Sequence, residues 1–221
     1  MEPLYFRRGF TLIELLVVLA IIVTLMTIVF TSQSSFNKTL VLANTAYDIA
    51  LTLRSAESFG LSSRASGSTA NVGYGVHFQV GTTGSFIFFA DTDPPVGSAG
   101  PFCHPIIGDP TGPGATPGDC VYTSSSDYKV NDYTLGNGIY VKDFCAYSGS
   151  WSCASTGLIS LDIVFAQPNP TPSISTNGSY SAALTKACLV LASPSAPGGP
   201  YRYVSVESSG QITANASSCG S

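Results

Sequence analysis

A single carboxylate set in a stretch of hydrocarbon limits what this chain can fold into more than any other feature. Phe10 to Phe30 is 21 residues, and Glu14 is its only charged side chain. As a helix the stretch measures about 31 Å, the thickness of a bilayer's apolar core. A lone ionised side chain at that depth costs about 2.5–3.5 kcal/mol, so a Glu kept there calls for a function and a partner. The nearest source of a positive partner is a cut after Gly9. It would free an α-amine on Phe10, about one helical turn from Glu14.

Arg8-Gly9-Phe10-Thr11-Leu12-Ile13-Glu14, continuing through Leu15 to Ile22, resembles the class III signal of type IV pilins and type II secretion pseudopilins. That pattern is a short basic leader ending in Gly, a Phe that starts the mature chain, Glu as its fifth residue, and a long apolar helix. Each element is present. The resemblance implies that a prepilin peptidase cuts between Gly9 and Phe10 and N-methylates Phe10. It implies that Glu14 pairs with a neighbouring subunit's Phe10 amine as a filament assembles. It also implies other pilin or pseudopilin subunits and membrane lipid as partners. The location implied is a bacterial inner membrane, crossed once with the head extracytoplasmic, and then the assembled pilus or pseudopilus. An ordinary secretory signal ends in a small-residue cleavage site, and none stands out among Thr24, Thr27, Thr31 and Ser32.

Composition agrees with an exported head. The formal net charge is −4, and only nine Lys and Arg occur in 221 residues. So few cations make a poor nucleic-acid binder, because that affinity rests on neutralising phosphates. All six cysteines, Cys103, Cys120, Cys145, Cys153, Cys188 and Cys219, lie beyond the apolar stretch. An even number confined there reads as disulfides made in an oxidising compartment. Six cysteines allow about 15 pairings. The sequence does not choose among them, and pairing of sequential neighbours is the expectation taken here. A zinc site on Cys103, His104 and Cys120 is the competing reading, but no CxxC or HxxxH spacing supports it.

From Phe10 to Phe59 there is neither Gly nor Pro, which predicts one continuous helix stopping near Gly60. Past Phe30 it turns amphipathic. Phe36, Leu40, Ala43, Tyr47 and Ala50 form one apolar row, and Leu42, Ala46, Ile49, Leu53 and Ala56 form another beside it. Both should pack on the head. Beyond Ser63 the period changes to alternation, with strands expected at 74–80, 85–90, 138–143, 158–165, 187–191 and 201–206. The last should fold back through Glu207 to Gly210 as a terminal hairpin. Pro94 to Gly118 carries seven prolines and six glycines in 25 residues, which predicts a loop, as do Pro168 to Pro172 and Pro194 to Pro200. The expected fold is therefore α+β: one long N-terminal helix, half transmembrane and half amphipathic, packed on a mostly antiparallel β-sheet head. The expected divisions are a leader at 1–9, a transmembrane part at 10–31, an amphipathic part at 32–63 and a disulfide-containing head at 64–221.

Two further segments resemble known relatives more loosely. Leu53 to Arg64 and Tyr201 to Ile212 are similar to the helix end and closing hairpin of H-type minor pseudopilins and FimT/FimU-like minor pilins. Major pilins commonly carry a proline about twenty residues into the mature helix. Here Ile28-Val29-Phe30-Thr31-Ser32-Gln33 has none, which implies a minor subunit.

No catalytic constellation and no cofactor motif is present. GxSxG, HExxH and phosphate-cradling glycine loops are lacking. Gly149-Ser150-Trp151-Ser152-Cys153 lacks the second Gly of a nucleophile turn. His77 falls in a strand and His104 in the Pro/Gly loop, away from any nucleophile. Asp91 and Asp93, with Asp109 or Asp119, are weak calcium candidates, and a plain turn is the favoured reading because Pro94-Pro95 follows. Two functions from different classes remain: a structural subunit of a secretion pseudopilus or pilus, and a pilus-tip module for adhesion or DNA uptake.

Overall fold

The computed structural model describes residues 10–62, 64–95, 103, 117–167, 169–194 and 198–219. The leader, Asp109, His104 and most of the Pro/Gly loop lie outside the described residues. The chain forms two compact units, Met1–Leu40 and Val41–Ser221.

One helix, α1 (Leu12–Leu61), supplies the first unit and opens the second. Thr11 starts it: the Glu14 N–H donates to the Thr11 carbonyl (3.1 Å) and lies 3.4 Å from its hydroxyl. Leu12–Phe30 is long and apolar enough to cross a membrane, and none of it is buried within the protein. Thr24 and Thr27 bond back to carbonyls one turn earlier (both 2.8 Å at their shortest), so neither hydroxyl needs water. That is the chemistry of a helix built for hydrocarbon.

In the second unit α1 buries Leu42, Ala46, Ile49, Ala50, Leu53 and Ala56 in the main core. Of the first predicted row, Ala50 is buried, the Phe36 side chain lies outside what is described, and Tyr47 is 52% exposed, because a helix on a sheet hides only a stripe. Thr45 and Thr52 are buried beside that stripe, each hydroxyl bonded to the carbonyl four residues back. The helix passes the predicted stop and ends at Leu61. Gly60 is needed for close approach: a Cβ there would come within 2.1 Å of the Phe165 carbonyl oxygen.

Eleven strands follow: β1 (Gly73–Gln79), β2 (Ser85–Asp91), β3 (Tyr128–Thr134), β4 (Tyr140–Tyr147), β5 (Trp151–Cys153), β6 (Ser160–Ala166), β7 (Asn169–Thr176), β8 (Ser179–Tyr180), β9 (Lys186–Ala192), β10 (Arg202–Glu207) and β11 (Ile212–Ala216). They make two antiparallel sheets, ordered β3-β2-β1-β6-β7-β8 and β11-β10-β9-β4-β5. The architecture is α+β, with two sheets rather than one. β1, β2, β6, β9 and the β10–β11 hairpin lie where alternation predicts strands.

The loop expected at 168–172 is instead largely β7. Its partner β8 pairs only with Ser175 and Thr176, so the Pro-bearing half of β7 lies at an open edge where a missing N–H costs no ladder bond. β3 is exposed along most of its length and shows no apolar alternation to betray it. The three disulfides join Cys103–Cys120, Cys145–Cys153 and Cys188–Cys219. The first is no surface staple. Cys103 and Cys120 are buried with Phe89 and Val164 in a second apolar cluster.

Parity explains that second cluster. Tyr74, Val76 and Phe78 of β1 point to the main core, as do Phe86 and Phe88 of β2 and Leu161, Ile163 and Phe165 of β6. The intervening residues, including His77, Phe89, Asp91, Asp162 and Val164, therefore face the other way. The segment 117–127 covers that face. Gly75 lets β1 lie tight against β6, since a Cβ would reach 2.6 Å from the Ile163 carbonyl oxygen.

Candidate functional site

Two places concentrate chemistry: the N-terminal signal and the covered face of the six-stranded sheet. At the signal, Phe10 is 78% exposed and Glu14 is exposed in the first turn of α1. Among the described residues none of the ion pairs includes Glu14. Gly9 lies outside the described residues. The side chains that follow Glu14, Leu15 to Val18, are apolar and exposed, and offer its carboxylate no polar partner.

On the covered face, β1 and β6 set His77 directly opposite Asp162, and His77 Nδ1 lies 2.6 Å from Asp162 Oδ1. Asp162 is fully buried, His77 nearly so. The same oxygen accepts the Tyr122 N–H at 3.2 Å, which ties the covering segment to the sheet. Burial pushes the Asp162 carboxyl up, and the bond from His77 opposes that. Its second oxygen is buried without a partner. His77 Nε2 has no partner among the described residues and fronts a cleft of about 280 Å³, whose wall includes Gln79, Tyr122, Ser124, Ser160 and Asn177. The Tyr122 ring packs on the imidazole, 4.9 Å between centroids.

Asp91 and Asp127 fasten the same cover. Asp91 Oδ2 accepts the Cys120 N–H (2.8 Å), while Oδ1 is buried and unpartnered. Gly118 rests on that carboxylate: a Cβ there would stand 2.3 Å from it. Asp127 Oδ1 accepts the Thr92 and Asp93 N–H groups (2.8 and 3.1 Å), and Oδ2 accepts that of Thr123 (2.7 Å). Burial is the main cause that raises Asp91, Asp119 and Asp127, with other carboxylates adding to it; Asp127 reaches about 6.

Of the calcium candidates, Asp91 therefore serves as an acceptor for the covering turn, and Asp93 Oδ2 accepts the Ser126 hydroxyl (3.1 Å). Among the described residues no three carboxylates gather at ligand spacing. The acid-containing groups that do are Asp91 with Cys103 and Cys120, and Asp143 with Cys145 and Cys153. In both, disulfides occupy the sulfurs, which also removes the zinc reading. The 149–153 turn becomes β5 and its disulfide, and the nearby Asp143 carboxylate accepts the Ser155 hydroxyl (2.6 Å). Sequence reading missed the His77–Asp162 pair because its partners are 85 positions apart; strand register alone joins them.

Residues 6–30 match the family described as the prokaryotic N-terminal methylation motif, the signature of type IV pilins and pseudopilins. The match covers this N-terminal segment alone, and the motif there implies prepilin peptidase processing and assembly with other pilins. Neither the curated proteins nor the solved structures include a match to it.

Proposed function

We propose that this chain is a minor structural subunit of a type II secretion pseudopilus or type IV pilus, processed between Gly9 and Phe10 and N-methylated on Phe10. The observation that carries the reading is Glu14, a lone carboxylate in an exposed apolar helix that directly follows Arg8-Gly9-Phe10. Its charge is tolerable in lipid only with a partner, and a neighbouring subunit's Phe10 amine would supply a charge-assisted one. The minor assignment rests on the uninterrupted α1, without the proline common in major subunits. The span then sits once in the inner membrane with the disulfide-bearing head extracytoplasmic, where oxidation is available. The subunit performs no chemistry of its own, binds no nucleic acid and acts through packing.

Glu14→Ala tests this. The variant should be processed and inserted normally, since removing a charge eases insertion, yet be depleted from sheared filaments. Incorporation at the wild-type level would remove Glu14 from assembly. A second reading, a tip module with a binding site in its head, is favoured by one observation only, the cleft on His77.

A further inference from the structure

We propose that the cleft beside His77 binds a single uncharged sugar ring. The proposal concerns the head alone and stands whether or not the filament reading holds.

The first argument is the fixed imidazole. Asp162 is fully buried and opposite His77 in the register, and it holds Nδ1 at 2.6 Å. A carboxylate only accepts, so Nδ1 is the donor to it, and Nε2 is the ring nitrogen left for a ligand in the cleft that His77 lines. The ring cannot swing, because Tyr122 packs on it and is itself tied to Asp162 through its N–H. A ring nitrogen fixed beside a hollow can hydrogen-bond a hydroxyl, which both donates and accepts.

The second argument is the lining. Gln79, Ser124 and Ser160 are a neutral amide and alcohols that both donate and accept, while Asn177, whose Oδ1 takes the Ile159 N–H (2.6 Å), keeps its NH2 to donate. No Lys, Arg, Asp or Glu is among the lining residues. With no cation on the wall, an anion would find no charge partner there. A cation would find no carboxylate on the wall, and a metal ion only one imidazole. What fits a set of two-way hydrogen-bonding groups is a ligand with several hydroxyls. Tyr122 and the 60%-exposed Ile159 add an apolar wall for the C–H face of a ring. The hollow, about 280 Å³, falls just below the ~300–1,000 Å³ of drug-sized sites, so it holds one ring rather than a chain.

The test is saturation-transfer NMR on the full processed chain in amine-oxide micelles, which carry no sugar of their own. The probes are glucose, galactose, mannose and N-acetylglucosamine, with acetate and zinc chloride as anion and metal controls. At least one sugar should receive saturation and should shift the His77 ring resonances. Gln79→Ala, at an exposed side chain, should weaken that sugar about fivefold, the factor one lost hydrogen bond carries. His77→Gln should abolish it; if that variant misfolds, Tyr122→Leu takes its place, with loss again expected. Transfer to no sugar would overturn the proposal. So would transfer that survives both variants undiminished, or a His77 response to acetate or zinc alone.

Discussion

Asp127 shows how much a single side chain can hold. Its two oxygens take N–H groups from the strand end at Thr92 and Asp93 and from its own turn at Thr123. Yet burial raises its carboxyl to about 6. The folded state therefore holds this proton more tightly than the unfolded one does. Its stabilising contribution is full below the ordinary carboxylate value of 3.8 and is lost as pH rises through about 6. Asp91 and Asp119 are shifted in the same direction and add to the trend. Head stability should thus fall between pH 4 and pH 6.5, by about 1–2 kcal/mol from Asp127 once its partial exposure is allowed for. Urea melts across that range would show it, and Asp127→Asn should flatten the slope. A wild-type profile that is level or rises across the window would contradict the assignment. None of these roles was legible in the sequence, where Asp91 and Asp93 read as a turn or a calcium candidate. A carboxylate's partners are backbone groups some 30 residues away, and only the fold brings them close.

At the level of elements, α1 in the second unit offers a clean contrast between faces. Leu53 is fully buried and Leu51 is 60% exposed, so Leu53→Ala should cost about 2–5 kcal/mol and Leu51→Ala less than about 0.5. Gly60→Ala should cost about 1–3 kcal/mol, because its new methyl meets a backbone oxygen that cannot retreat. Chemical denaturation of the three variants checks the set, and equal losses at Leu51 and Leu53 would mean the helix is rotated from this description. Periodicity located the helix and the paired buried strands because their burial leaves a printed pattern: Tyr74, Val76 and Phe78 alternate, and so do Phe86 and Phe88. It failed for β3, whose residues are almost all in solvent, and for β7, where prolines mimic a loop. It expected both adjoining rows to be covered, and could not tell that Ala50 of the first row would be buried while Tyr47 stays 52% exposed.

At the level of the whole molecule, the chain joins an exposed apolar helix suited to lipid and a head closed by three disulfides. Reductant should lower the head's melting temperature, each lost bridge costing about 2–5 kcal/mol. Cys188–Cys219 should matter most, since it ties the end of the terminal hairpin to β9. Cys103–Cys120 should matter more than a surface staple would, because it seals the second apolar cluster. Unchanged melting under full reduction would contradict the redox assignment. We propose that the chain is cut after Gly9, methylated on Phe10 and drawn into a filament by its first mature turn. Mass spectrometry of the N-terminus of protein taken from its native membrane tests that most directly. The account predicts a chain beginning at Phe10 with a methylated α-amine; an intact Met1, or a start beyond Thr24, would contradict it.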